Sequence, residues 1–156
     1  MHSTRQKFDR KILGVIVGVG LVFLGWIAWQ AGASTFIPTP VRFENVTIAA
    51  RVAKSAQAKE QGLSGTKSLA DETGMLFVYD QEDMWQIWMR DMHYPIDIIW
   101  LDKDKKVVHI VHGAKPSSYP KTVFTPKKPA QYVLEIPAGA AKRHGIGIGV
   151  KAEFRV

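Results

Sequence analysis

The sequence predicts a mainly-β domain, compact and barrel-like or a sandwich, with two short helices, preceded by one N-terminal transmembrane helix. Three observations carry this expectation. Seven short segments have strand composition or alternation and are separated by turn-forming residues. Only two stretches among them favour helix. Ahead of them, residues 12–29, ILGVIVGVGLVFLGWIAW, hold no charge.

That apolar run spans about 27 Å as a helix, close to the thickness of a bilayer's hydrocarbon core. Arg5, Lys7, Arg10 and Lys11 precede it against Asp9, and no charge follows until Arg42. This asymmetry puts the N-terminus in the cytoplasm and the remainder outside. Trp26 and Trp29 suit an interfacial aromatic belt. The run is also long for a signal-peptide core, so a retained anchor is the preferred reading. The alternative is a secreted or periplasmic domain, released by cleavage near Ala33 in the Ala31-Gly32-Ala33 stretch. Residues 1–33 then form the cytoplasmic tip and the anchor or signal peptide. Residues 34–41, with Pro38 and Pro40, form an extended linker, and residues 42–156 form the domain.

Within the domain, residues 46–52 read as a strand. Residues 54–63 read as a helix, with Ser55 as N-cap and Gly62 or Gly65 as terminator. Residues 75–79, MLFVY, read as a buried strand, with an acidic turn at 80–83. Strands are expected at 85–90, 96–101 and 107–112. The charged turn DKDKK between the last two indicates a hairpin. Residues 113–129 hold four prolines and read as a loop, which leads to a strand at 131–136. A short helix at 138–144 and a closing strand at 150–156 complete the chain.

Composition narrows the function classes. The chain has no cysteine, which excludes thiol catalysis, cysteine-zinc sites and disulfide support. The net charge is +7, of which the leader supplies +3. The mild excess in the domain suits a solvated surface, and no nucleic-acid partner is expected of an exported domain. No Walker loop, dinucleotide fingerprint or nucleophile elbow is present, and no cofactor is indicated.

Chemistry concentrates in residues 85–101, WQIWMRDMHYPIDIIWL, where charged groups sit among large apolar ones. Strand alternation puts Asp97 on one face with Ile99 and Leu101. A carboxylate buried there needs a partner, and Arg90 is the nearest cation in sequence. An Arg90–Asp97 clamp on the turn at 91–95 is the main expectation. Asp97, Arg90 and His93 are the catalytic candidates if the site performs a reaction. Trp88, Arg90, Asp97 and His112 are the candidates for binding a ligand. His109 and His112, three apart on a strand, point to opposite faces and cannot share a metal, so no metal site is expected.

Several pieces, in order, resemble the bacterial and archaeal family called domain of unknown function 192. They are Glu60-Gln61-Gly62-Leu63, Gly74-Met75-Leu76-Phe77-Val78, Trp88-Met89-Arg90-Asp91-Met92 and Pro95-Ile96-Asp97-Ile98-Ile99. Residues 129–135, PAQYVLE, Pro137-Ala138-Gly139 and the glycine turn at 145–149 follow. The resemblance implies a compact, barrel-like mainly-β domain with no established activity. It marks Trp88, Met89, Arg90, Pro95, Asp97 and Glu135 as positions of interest. This chain departs from many relatives at Ser64, where they have Met. It also has Lys115-Pro116-Ser117-Ser118-Tyr119 where some carry cysteines.

The sequence thus points to a membrane-anchored extracytoplasmic binding or accessory module. Its partners would be membrane lipid through residues 12–29 and an envelope protein, peptide or sugar. The alternative is an envelope hydrolase or lyase using Asp97 with Arg90 and a histidine.

Overall fold

The computed structural model describes residues 37–156. The expected anchor, the cleavage site near Ala33 and residues 34–36 of the linker lie outside these. Among the described residues no helix is long and apolar enough to cross a membrane.

Six strands form one sheet in the order β1-β2-β3-β6-β4-β5. Strand β1 (Thr39–Phe43) and β2 (Val46–Ala53) make an antiparallel hairpin across Glu44 and Asn45. Helix α1 (Ala56–Gln61) then carries the chain over to β3 (Thr73–Asp83), which runs parallel to β2. Ser55 caps α1 as expected, its side chain accepting from the Ala58 N–H at 3.2 Å. Gly62 ends the helix with φ +49°, a conformation that glycine adopts without Cβ strain.

Strand β4 (Ile96–Leu101) and β5 (Val107–Ala114) form the expected hairpin. The Asp102 carboxylate accepts from the N–H groups of Asp104 and Lys106 and fixes its turn. A one-turn 3₁₀ helix (Pro116–Ser118) interrupts the long loop that follows. Strand β6 (Ala130–Pro137) then inserts between β3 and β4, antiparallel to both, and α2 (Ala140–Arg143) follows it.

The sheet is buried on both faces. Leu76, Ile99, Leu134 and Ile136 pack on one face with Ala141, Ala152 and Phe154. Met75, Phe77, Ile98, Trp100 and Val133 pack on the other with Leu63, Ile87, Met89 and Met92. Every residue of β4 is therefore buried, which accounts for its unbroken apolar run.

Five expectations need correction. The sheet is open rather than a closed barrel. The C-terminal segment reaches both edges, through bridges of Glu153 to Arg42 and Lys151 to Lys106, but makes no strand. It alternates because Ala152 and Phe154 turn inward while Lys151 and Glu153 face solvent. Residues 85–90 are likewise no strand. Ile87 and Met89 point down onto the sheet, with one bridge from Ile87 to Phe124, and Asp91 at φ +54° turns the chain away. The acidic stretch 80–83 continues β3 rather than turning. Finally, β1 begins at Thr39, inside the segment read as linker. Pro40 is tolerated there because β1 is an edge strand.

Candidate functional site

Glu135 lies on β6 opposite Met75 of β3 and Ile98 of β4, so its side chain emerges on the face that carries Phe77, Val133 and Trp100. It is 5% exposed. Burial alone pushes its carboxyl up from the ordinary 4.5 to about 8, so the group is mostly neutral at pH 7. No hydrogen-bonding group among the described residues partners it, whereas Asp97, the other buried acid, is fully engaged.

Glu135 forms part of the wall of a pocket of about 100 Å³. Each of the five sequence pieces that span 60–63, 74–78, 88–92, 95–99 and 129–135 sends at least one residue to it. Gly62, Phe77, Trp88, Ile96 and Glu135 are among them. Residues far apart in sequence thus share one cavity, with aromatic walls from Phe77, Tyr79 and Trp88. Tyr79 stacks on Trp85 at 3.9 Å between ring centroids, and Lys59 Nζ lies 4.5 Å from the centre of the same Tyr79 ring. Burial, and secondarily the nearby Glu135, push the Tyr79 hydroxyl up to about 12, so it remains a neutral donor.

The rim is polar and held in place. The Ser64 hydroxyl donates to the Arg90 carbonyl at 2.8 Å, and the Gly65 N–H donates to the Asp91 carbonyl at the same distance. Ser64 therefore ties the loop after α1 to the segment bearing Trp88. The Arg90 guanidinium pairs with Glu60 at 3.4 Å and lies 5.0 Å from the Trp88 ring centre. Both ions are substantially exposed, so the pair orients the rim more than it stabilises the fold. Trp88 itself is 47% exposed.

Asp97 sits on the opposite face of the sheet, as its alternation with Ile99 and Leu101 requires. Oδ1 accepts from the Gly113 N–H at 2.8 Å and Oδ2 from the Ala141 N–H at 3.0 Å. Its carboxylate ties β5 and the first turn of α2 to β4. The expected Arg90–Asp97 clamp does not form, because the two side chains leave the backbone toward different layers. His112 Nδ1 is 3.9 Å from Asp97 Oδ2, so those two candidates do meet. His93 is exposed in the turn. His109 faces away from His112, its ring 5.4 Å from that of Trp100. Burial, and then the charge of Lys127, lower the pKa of His109.

The ligand-binding candidates thus divide into Trp88 with Arg90 at the pocket, and Asp97 with His112 behind the sheet. Among the described residues, no group of three or more His, Asp or Glu side chains is placed to hold a metal ion. Residue reasoning missed Glu60, Tyr79 and the pocket role of Glu135. The signal for Glu135 was present: a carboxylate inside the apolar strand QYVLEI is as anomalous as Asp97 inside IDIIWL.

Comparison with known proteins agrees with this domain. A UPF0127 protein of Pyrococcus abyssi is 37% identical over 59 residues, which is 38% of this chain and 46% of that protein. The match thus spans about half of that relative's length. The crystal structure of a protein of unknown function from Novosphingobium aromaticivorans is similar, with a TM-score of 0.69 and 32% identity over 78% of this chain and 89% of the other. A Sinorhizobium meliloti protein, described as a candidate transcription regulator, has a TM-score of 0.72 and 26% identity over 79% and 98% of the two chains. The last match takes in nearly all of that crystallised chain, so the Sinorhizobium meliloti chain folds as this domain with little else attached. The family model for DUF192, an uncharacterized ACR, matches residues 39–154, and the chain belongs to that family.

Proposed function

We propose that residues 37–156 are the extracytoplasmic ligand-binding domain of a membrane-anchored protein, with the Glu135 pocket as the binding site. The observation that carries this reading is Glu135, a residue only 5% exposed whose carboxyl has no hydrogen-bond partner among the described residues, in the lining of a cavity with aromatic walls. A neutral carboxyl both donates and accepts, so it suits a polar group that does the same, such as an amide or a hydroxyl. The cavity holds a group the size of a side chain. The remainder of the ligand would lie along Met84, Trp85 and Val123, a shallow apolar surface that shares Trp88 and Gln86 with the pocket. An envelope peptide or sugar presenting one such group fits this arrangement. The uncharged leader run supplies the anchor in this reading.

A screen of small amides and diols against the ¹⁵N-labelled domain tests the site. Shifts are expected at the Trp88 indole N–H and at Ser64, and Trp88→Ala should weaken binding about tenfold or more, as loss of a stacking residue does. Shifts that gather elsewhere, or a Trp88→Ala variant that binds normally, would remove the pocket as the site.

A further inference from the structure

A second surface lies where β1 begins and the C-terminal segment crosses it. Arg42, Lys105, Lys151 and Arg155 line a shallow depression there, with Glu153 as the one acid in its lining. Ile37 stands at its edge and is 86% exposed. Lys105 is partly occupied: its ammonium donates to the Phe154 carbonyl at 2.8 Å and lies 4.8 Å from that ring's centre. The side chains of Arg42, Lys151 and Arg155 are exposed and make no ion pair among the described residues.

We propose that this face rests on anionic lipid headgroups of the membrane that holds the anchor. The proposal rests on the anchored reading above and adds which face meets the bilayer and what it recognises there. Only residues 30–36 separate the uncharged run from Ile37. Fully extended they reach about 25 Å, so in the anchored reading Ile37 is held within that distance of the lipid surface. Phosphate-bearing headgroups attract Lys and Arg, and the attraction fades within roughly 8 Å at physiological salt. An exposed Ile beside the cations can enter the headgroup layer, which a purely charged patch cannot do. The occupant is therefore an anionic lipid surface, since the tether supplies the proximity and the cations the charge complement.

The test uses residues 37–156 without the leader, so that vesicle binding reports the face and not the anchor. Co-sedimentation is measured with vesicles of pure phosphatidylcholine and with vesicles containing 30 mol% phosphatidylglycerol. Binding to the anionic vesicles is expected to exceed that to the neutral ones and to weaken with added salt. The triple variant R42Q/K151Q/R155Q should lose about 100-fold in binding, at about fivefold per basic residue. Lys105 is left in place because it holds the C-terminal segment, and an unchanged thermal midpoint would show the variant folds. Equal binding to both vesicle types, or tighter binding to a 20-base-pair DNA duplex than to the anionic vesicles, would overturn the proposal. Carbonate extraction of membranes that contain the full chain tests the anchor separately. Release into the wash would remove the anchor while leaving the vesicle result to stand.

Discussion

Asp97→Ala is expected to destabilise the domain by about 3–5 kcal/mol, measured by chemical denaturation. The substitution leaves the Gly113 and Ala141 N–H groups without an acceptor. Each unsatisfied buried donor costs about 1–3 kcal/mol, and hydrogen bonds to a charged acceptor are the stronger kind. Gly113 lies at φ +61°, a local turn in β5 that the carboxylate holds in register with β4. Ala141 belongs to the first turn of α2, whose N-cap is a glycine with no side chain to cap it. Asp97 therefore does from across the sheet what a serine or aspartate does at an ordinary helix start. Asp97→Asn keeps one acceptor and should cost less. A variant at Asp97 that folds with full stability would show that this carboxylate is free for chemistry after all.

Gly74→Ala should be equally severe, at or above the roughly 3 kcal/mol that marks the upper end for overpacked sites. A Cβ at Gly74 would lie 2.5 Å from the Glu135 carbonyl oxygen, with methyl groups of Ile48 and Ile136 at 3.1 and 3.2 Å. The carbonyl is main chain of β6, so it cannot swing aside as a side chain would. Relief requires β3 and β6 to separate, and Glu135 moves with β6. Loss of stability is therefore expected together with loss of any ligand that the pocket binds. A Gly74→Ala protein with an unchanged denaturation midpoint would contradict the close approach of these two strands.

Much of this fold is legible in the sequence where one cause acts alone. Ser55 and Gly62 bracket α1 because capping is local. The β4–β5 hairpin is legible because a charged turn separates two apolar runs. The strand face of Asp97 follows from alternation, and so do the opposed directions of His109 and His112. The errors arise where a pattern has two causes. Ile87 and Met89 alternate with exposed residues because they roof the sheet, and the C-terminal Ala152 and Phe154 do the same. Alternation alone cannot separate a roofing segment from a paired strand. Pro38 and Pro40 suggest a linker, but an edge strand accepts proline on its unpaired side. Arg90 and Asp97 are close in sequence, yet β4 turns Asp97 to the far face, and Arg90 finds Glu60 on a helix that sequence order places thirty residues away. The pocket was visible only as scattered pieces, because the insertion of β6 between β3 and β4 is a long-range event that brings Glu135 to Phe77 and Trp88.

The central claim is that the pocket presents a neutral, unpartnered carboxyl. Its most direct test is a ¹³C titration of the Glu135 side-chain carboxyl in the folded domain. A midpoint near 8 is expected, against an ordinary 4.5. Because the folded value lies above the unfolded one, the folded state binds more protons between them, and stability falls as pH rises through that window. The neutral form's contribution is complete below about pH 4.5 and lost by the time pH passes about 8, a span of about 5 kcal/mol at roughly 1.4 kcal/mol per pH unit. Glu135→Gln should flatten that slope. A midpoint near 4.5, with no slope for Gln to remove, would mean that Glu135 is solvated or paired and that the pocket is not the site described.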